Sequence, residues 1–287
     1  MAQDIYHRAL QAIHDKSSQN TSLCPYAVTI NFHPDRFTHD GHPLIEQLVH
    51  DGVLKSQFET QTSNGGLTAF NGGERWLWEQ RVFGGVYDTC EVHQRPKYGA
   101  LNFLESEYGA APRFGSSYFR LNRRVLERTS YCYPDSYYHP TNFATSSSVK
   151  SLVKMAQAFT GDELDRYVEA QIHGELSLAK DVEALVLDPS FKGTEVEIWA
   201  NKLPCVLEWH SGYVLDVQDV NDNPSYRGGR FIELAVKLAT NNKIKPIDLS
   251  RAIYQLNFDE QDIKKIWHYM ANFGRLTSKN TRQTCLS

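Results

Sequence analysis

The chain has 287 residues, of which 41% are hydrophobic and 22% charged, and a net charge of −4. This is globular composition and excludes wholesale disorder. The charge total forces no basic face, so nucleic acid is a poor default partner, and the length suits one large domain or two unequal ones.

Residues 3–15 are predicted to form an amphipathic helix, with Ile5, Ala9, Leu10 and Ile13 on one side, broken by the polar stretch Lys16 to Ser22. Ala27 to Phe32 alternates and is β-branched, so it reads as a strand that Pro34 must end. Pro43 to Asp51 reads as a short helix stopped by Gly52, and Val53 to Thr60 as a second strand closing in the turn Thr62 to Gly66. Gly73 to Phe83 suits a helix closed by Gly84 and Gly85. Lys97 to Phe103 and Phe114 to Leu121 read as strands, residues 134–148 as a Tyr- and Ser-rich loop, and Ser148 to Phe159 as a helix. Strands follow at Arg166 to His173, Val182 to Leu187, Glu195 to Trp199 and Val206 to Asp216, then a turn-rich loop at Asn221 to Gly229. From Phe231 to about Phe273 the pattern is helical, and the tail from Ser278 is polar. Short strands mixed irregularly with helices argue for α+β, without the regular alternation of a doubly wound sheet.

No stretch of about 18 uncharged apolar residues occurs, so no membrane span is expected. Met1 to Asp15 lacks an apolar core and carries Asp4 and Asp15, so no Sec signal peptide is expected either. Cys24, Cys90, Cys132, Cys205 and Cys285 are scattered without a CxxC pair, which speaks against a disulfide framework and for a reducing compartment.

Three clusters can carry chemistry. Phe32-His-Pro-Asp-Arg36 leaves a buried strand, a usual location for a site, although strand ends often carry solvated charge. Phe58 to Gly66 is rich in hydroxyls and glycine, whose exposed amides can cradle a phosphate; a plain hairpin turn is the competing reading. In Tyr167-Val-Glu-Ala-Gln-Ile-His-Gly174, period two puts Glu169, Gln171 and His173 on one face. A solvent-facing strand gives the same pattern, but a carboxylate beside an amide also suits a site that stabilises a sugar cation. His33, His39, His42 and His50 match no zinc spacing, so no metal is expected. Arg113 to Tyr118 is a weaker candidate for binding phosphate or hydroxyl.

The order of these pieces resembles a PARP-like ADP-ribosyltransferase, and more closely the CteC-type bacterial effector family. The segments that carry the resemblance are Phe32 to Arg36, Ser63 to Gly66, Arg95 to Asn102, Pro112 to Ser117, Glu169 to Gly174 and Asp188 to Phe191. It spans roughly residues 26–230. The resemblance implies two packed, mostly antiparallel small sheets forming an NAD cleft, with flanking helices. It implies mono-ADP-ribosyl transfer to a threonine, with ubiquitin as the protein substrate. It also implies a soluble, monomeric protein of the bacterial cytoplasm, or a delivered virulence effector or toxin acting in the host cytosol.

By the same resemblance Glu169 and Asp35 are the catalytic pair, and His33, Arg36, Thr60, Ser63, Asn64, Gly65, Tyr98 and Gln171 bind NAD. The sequence departs from the Glu-x-Glu pattern of one transferase class by having Gln171. Either Glu169 is the essential carboxylate or Glu175 takes part, and the position of Glu175 beyond Gly174 favours Glu169.

Residues 1–229 are expected to form the catalytic domain. Residues 230–287 would form a helical region, and either it or the Tyr131 to Phe143 stretch bearing Tyr137 and Tyr138 is expected to contact the target. Alternatives are an NAD glycohydrolase, a degenerate transferase fold acting as an interaction module, and a metal hydrolase built on His33, Asp35 and His39.

Overall fold

The computed structural model describes residues 2–17, 24–61 and 67–276. Helix α1 (Ala2–His14) buries Ala9 and Ile13, four residues apart on its apolar stripe. Strand β1 (Val28–Phe32) follows, then α2 (Leu44–Asp51), whose last turn is closed by the left-handed Gly52 donating its N–H to the Leu48 carbonyl. The strand expected to run to Thr60 stops after β2 (Val53–Leu54). Ser56 and Glu59 form a reciprocal capping box there, and α3 (Gln57–Thr60) begins instead. Helix α4 (Glu74–Phe83) and strands β3 (Lys97–Leu101) and β4 (Ser117–Leu121) lie where the periodicity puts them.

Within the stretch expected as a loop, residues 134–148, only Asn142–Thr145 is a strand: β6, the return arm of a hairpin with β5 (Thr129–Tyr133). Its tip is a short 3-10 turn at Ser136–Tyr138. Helix α5 (Lys150–Gln157), β7 (Val168–Ile172), β8 (Leu176–Ser177), α6 (Leu178–Asp181) and β9 (Val182–Leu187) come next. Glu195 to Trp199, expected as a strand, lies in helix α7 (Glu195–Ala200). Val196 and Ala200, four apart, are buried, whereas Ile198, on the Val196 side of a strand, is exposed. The single strand expected over 206–216 is split into β10 (Val206–Trp209) and β11 (Leu215–Asp216) by a turn at Gly212. The remainder is α8 (Val217–Asp222), α9 (Arg230–Leu238), β12 (Lys243–Ile244), α10 (Pro246–Tyr254) and α11 (Glu260–Phe273).

Eight strands form one sheet in the order β10-β9-β4-β1-β3-β7-β5-β6, antiparallel except for the β9–β10 pair. The class is α+β as expected, but these eight strands make one sheet where two small packed sheets were expected, with β2–β8 and β11–β12 as separate two-stranded pairs. The reason is β1, which pairs with both β3 and β4 and so joins the two halves. The join is narrow. Only Val28↔Leu101 and Thr29↔Ala100 connect β1 to β3, whereas β1 stays paired with β4 as far as Phe32 and β3 with β7 as far as Lys97. Beyond Thr29 the sheet splits.

One face of the sheet carries the main core: Val28, Leu101, Phe119, Val168, Ala170, Ile172 and Leu185 pack with Leu48, Leu152 and Val153 from α2 and α5. The helical region has its own core around Phe231, Leu249, Ile263, Ile266 and Trp267, and this core also takes in Tyr108, Leu164, Tyr213, Leu215 and Val220. Pairing of β11 with β12 and of α8 with α9 roots the region before Gly229, so no clean boundary falls at the expected position. Among the described residues, no helix is long and apolar enough to cross a membrane.

Candidate active site

Alternation along the strands sorts the polar residues. With Val28 and the β7 residues Val168, Ala170 and Ile172 in the core, Thr29, Asn31, Tyr98, Ala100, Ser130, Cys132, Glu169 and Gln171 share the opposite face. The register lines up Thr29, Ala100, Glu169 and Cys132 in one row across four strands. Where β1 and β3 part company, a cleft of about 210 Å³ opens, lined by Thr29 to Phe32 on one lip, Lys97 to Ala100 on the other, and Glu169 in the floor. Gln57, Thr60 and Arg75 close one side, and Ala111, Phe114 and Tyr167 the other.

Asn31 builds that second wall. Its amide donates to the carbonyl of Tyr108 (2.9 Å) and its oxygen accepts from the Ala111 N–H (3.2 Å). The wall presses so close that a Cβ on Gly109 would meet the Asn31 side chain at 2.5 Å, and one on Gly115 would meet the Phe32 backbone at 2.0 Å. On the outer side, the Trp267 indole donates to the carbonyls of Pro112 (3.0 Å) and Arg113 (3.1 Å).

Among the described residues Glu169 is the one carboxylate in the cleft lining, and it is only 7% exposed. Oε2 accepts from the Ser136 N–H (3.2 Å) and hydroxyl (2.7 Å), and Oε1 accepts from Gln171 Nε2 (3.0 Å) with the Cys132 thiol at 3.7 Å. Burial pushes the carboxyl above its ordinary range; Arg75 and these hydrogen bonds oppose that by favouring the charged form. Arg75 acts partly through Ser136, donating to its Oγ at 2.8 Å, while its Nε donates to Gln57 at 3.1 Å and its guanidinium lies 3.9 Å from the centre of the Tyr98 ring. Behind Tyr98, Glu79 accepts from the Tyr98 hydroxyl (2.8 Å) and from Arg95 (2.6 Å).

Of the residues expected in the site, Glu169, Tyr98 and Thr60 line the cleft and Gln171 stands directly behind Glu169. The Tyr98 ring is engaged by Arg75 on its face, so stacking on a ligand would have to share that position. Ser63, Asn64 and Gly65 lie outside the described residues. Glu175 is exposed, past the left-handed Gly174.

His33, Asp35 and Arg36 do not line the cleft. They meet the helical region instead. The His33 ring is edge-on to Trp267, Ser250 donates to the Asp35 carbonyl, and Arg36 reaches Glu260 at 3.1 Å. Burial raises the Asp35 carboxyl to about 6 against the opposing pull of Arg36, and drives the His33 imidazole well below its ordinary value. His39 is exposed beside Asp40. Among the described residues no group of three His, Cys, Asp or Glu side chains is placed to hold a metal ion.

Sequence reasoning missed Arg75, Ser136 and Tyr167. Arg75 carried a signal: with Glu79 it falls on the same helical stripe as Trp78 and Val82, where a charge demands a buried partner. Ser136 carried none, because only the hairpin brings it to Glu169. Tyr167 donates its hydroxyl to Asp135, and so ties the hairpin tip to the cleft wall.

The fold and site define an α+β protein with a split sheet and a buried carboxylate, Glu169, at the split. The chain belongs to the family described as "Protein of unknown function (DUF3626)", whose profile matches residues 27–155 and 142–273. No curated protein matches the chain.

Proposed function

We propose that the protein is an NAD-dependent mono-ADP-ribosyltransferase that modifies a hydroxyl side chain of a protein, with a ubiquitin threonine as the first acceptor to test. The observation that carries the reading is Glu169: one ionisable carboxylate, rigidly mounted on a strand, held by three donors and open to a cleft at a sheet split. The acceptor rests on the family resemblance.

NAD supplies a glycosidic C1′–N bond that breaks with its electron pair going to nicotinamide, after which C1′ bonds to the acceptor oxygen and a proton is released. Glu169 would oppose the positive charge that builds on the ribose and accept a hydrogen bond from its 2′-hydroxyl. Of the four contacts on the carboxylate, the 3.7 Å thiol contact to Oε1 is the weakest. Tyr98, Phe114 and Tyr167 offer apolar walls to a ring. The volume is below the 300 Å³ or so of a full ligand pocket, so the cleft suits one end of a dinucleotide. His33 and Arg36 would take part only from the seam with the helical region, and Asp35 likewise is apart from Glu169.

The test is incubation of the protein with NAD and ubiquitin, read by intact mass and fragment mapping. Addition of one ADP-ribose to a threonine, lost in Glu169→Gln, supports the proposal. Nicotinamide release with ubiquitin unmodified would point to water as acceptor. No nicotinamide release with or without protein targets would sink the reading.

A further inference from the structure

Behind Glu169, four fully buried side chains stand in file, and their hydrogen bonds have one consistent direction. Gln171 Nε2 faces Glu169 Oε1 at 3.0 Å, which fixes the amide, since the flipped form would set a carbonyl oxygen against a carboxylate. Gln171 Oε1 must then accept, and Ser130 Oγ lies 2.8 Å away to donate. A hydroxyl has one proton, so Ser130 has none left for His173 Nε2 at 2.9 Å; that nitrogen carries the hydrogen and donates to Ser130. Nδ1 of the neutral ring is therefore an acceptor, and the Tyr87 hydroxyl donates to it at 2.7 Å. Tyr87, Ser130, Gln171 and His173 are each 0% exposed. Burial holds His173 neutral, with its pKa lowered to about 3, so the direction does not change at ordinary pH.

We propose that Tyr87, His173, Ser130 and Gln171 are positioning residues for Glu169, forming a one-way hydrogen-bond chain that commits the Gln171 amide to donate and so keeps the carboxylate ionised and aimed at the cleft. The chain ends on the only carboxylate lining the cleft among the described residues, and none of its four members lines that cleft. Arg75 from α4, Tyr98 from β3, Cys132 from β5, Asp135 at the hairpin tip and Tyr167 at the start of β7 also face the Glu169 carboxyl. Cutting the chain at Ser130 removes no contact of Arg75, Tyr98, Asp135 or Tyr167; Cys132, which accepts from Gln171 Nε2 at 3.3 Å, follows the amide, so its contribution belongs to the shift the chain produces. The activity readout below rests on the proposed function; the titration does not.

The experiment is carboxyl-¹³C NMR titration of glutamate-labelled protein, with Glu169→Gln to assign the resonance. In Ser130→Ala the amide is free to turn, and the Glu169 midpoint should rise on the order of one pH unit, a tenfold change in proton affinity. Ser130→Thr, which keeps the hydroxyl, should titrate like the wild type, and Tyr87→Phe should give a smaller rise. Thermal melts establish that each variant is folded; should Ser130→Ala not fold, Tyr87→Phe decides. An unshifted midpoint in the folded variant overturns the proposal, as does an equal shift in Ser130→Thr. With NAD, the acid limb of kcat/KM should move with the midpoint while KM stays within about twofold. Wild-type protein that never cleaves NAD defeats the functional reading and leaves the titration result standing.

Discussion

Glu169 is a buried carboxyl and Asp35 a half-buried one, and their surroundings give them different consequences. Glu169 is ringed by donors, so Glu169→Gln should lower transfer by about 10²-fold or more, the cost of removing one electrostatic stabiliser, while the fold persists. Nicotinamide release and mass addition measure this, and near wild-type turnover would exclude Glu169. Asp35 has fewer partners, and its carboxyl is raised to about 6. Its folded value lies above its unfolded one, so the folded state holds the proton more tightly. Stability is therefore greatest below the unfolded value near 4 and is lost as pH rises to about 6. Asp35→Asn should escape that loss, gaining up to about 3 kcal/mol over the wild type above pH 6 or so and nothing below about 4. Urea midpoints at both ends of the range measure this, and a variant less stable at neutral pH would show that the charged Asp35 is needed where it sits.

At the scale of elements, α4 is latched to the sheet by charges rather than by grease alone. Arg95 and Glu79 are 5% and 0% exposed and meet at 2.6 Å, with Arg95 also donating to the Tyr87 carbonyl. Burial raises the Glu79 carboxyl, and Arg95 is the strongest opposing influence. Arg95→Met leaves that carboxylate buried beside only Tyr98 and Arg75, and should cost about 3–5 kcal/mol by denaturant unfolding. Replacing Glu79 by Leu in the same chain should restore most of the loss, because the uncompensated charge is then gone. The latch matters to the site because α4 carries Arg75 over Tyr98 and onto Ser136. The hairpin tip holds Ser136 on Glu169 and leaves the adjacent Tyr137 and Tyr138 more than half exposed, edge to face. On the proposed function, this aromatic pair beside the carboxylate's hydrogen-bond partner would be a surface for the protein acceptor.

In the whole molecule the helical region and the sheet are one body around the cleft wall. Trp267 caps the 112–113 carbonyls, Tyr108 donates to the Gly212 carbonyl at 3.0 Å, and the Tyr213 backbone bridges to Arg275. Truncation after Gly229 therefore strips the partners of Tyr108, Tyr213, Leu215 and Val220. The expected outcome is loss of cooperative folding by circular dichroism, rather than a protein that cleaves NAD and merely fails to modify its target. A truncated chain with a sharp melt and intact NAD cleavage would show that the catalytic half stands alone.

Most of the elements, and the face each one buries, are legible from residue pattern. Periodicity alone places α1, α2, α4, α5, β1, β3, β4, β7 and β9, because each has an apolar stripe that must reach a core. It also set Glu169 and Gln171 on one face of β7, since side chains alternate along any strand. It misled where local signals compete: Glu195 to Trp199 alternates like a strand but buries Val196 and Ala200 as a helix, and Ser56 with Glu59 caps a helix inside an expected strand. The composition of the site, by contrast, depends on how the strands and helices assemble. Strand order puts β7 two strands from β1, the early end of the β1–β3 ladder opens the cleft, and the hairpin tip delivers Ser136 from 33 residues away. The adjacency of His33, Asp35 and Arg36 in the chain gave no sign that they face α10 and α11. Spacing along a strand fixes direction, but which groups converge depends on register and crossing, and those are set by contacts between residues far apart in sequence.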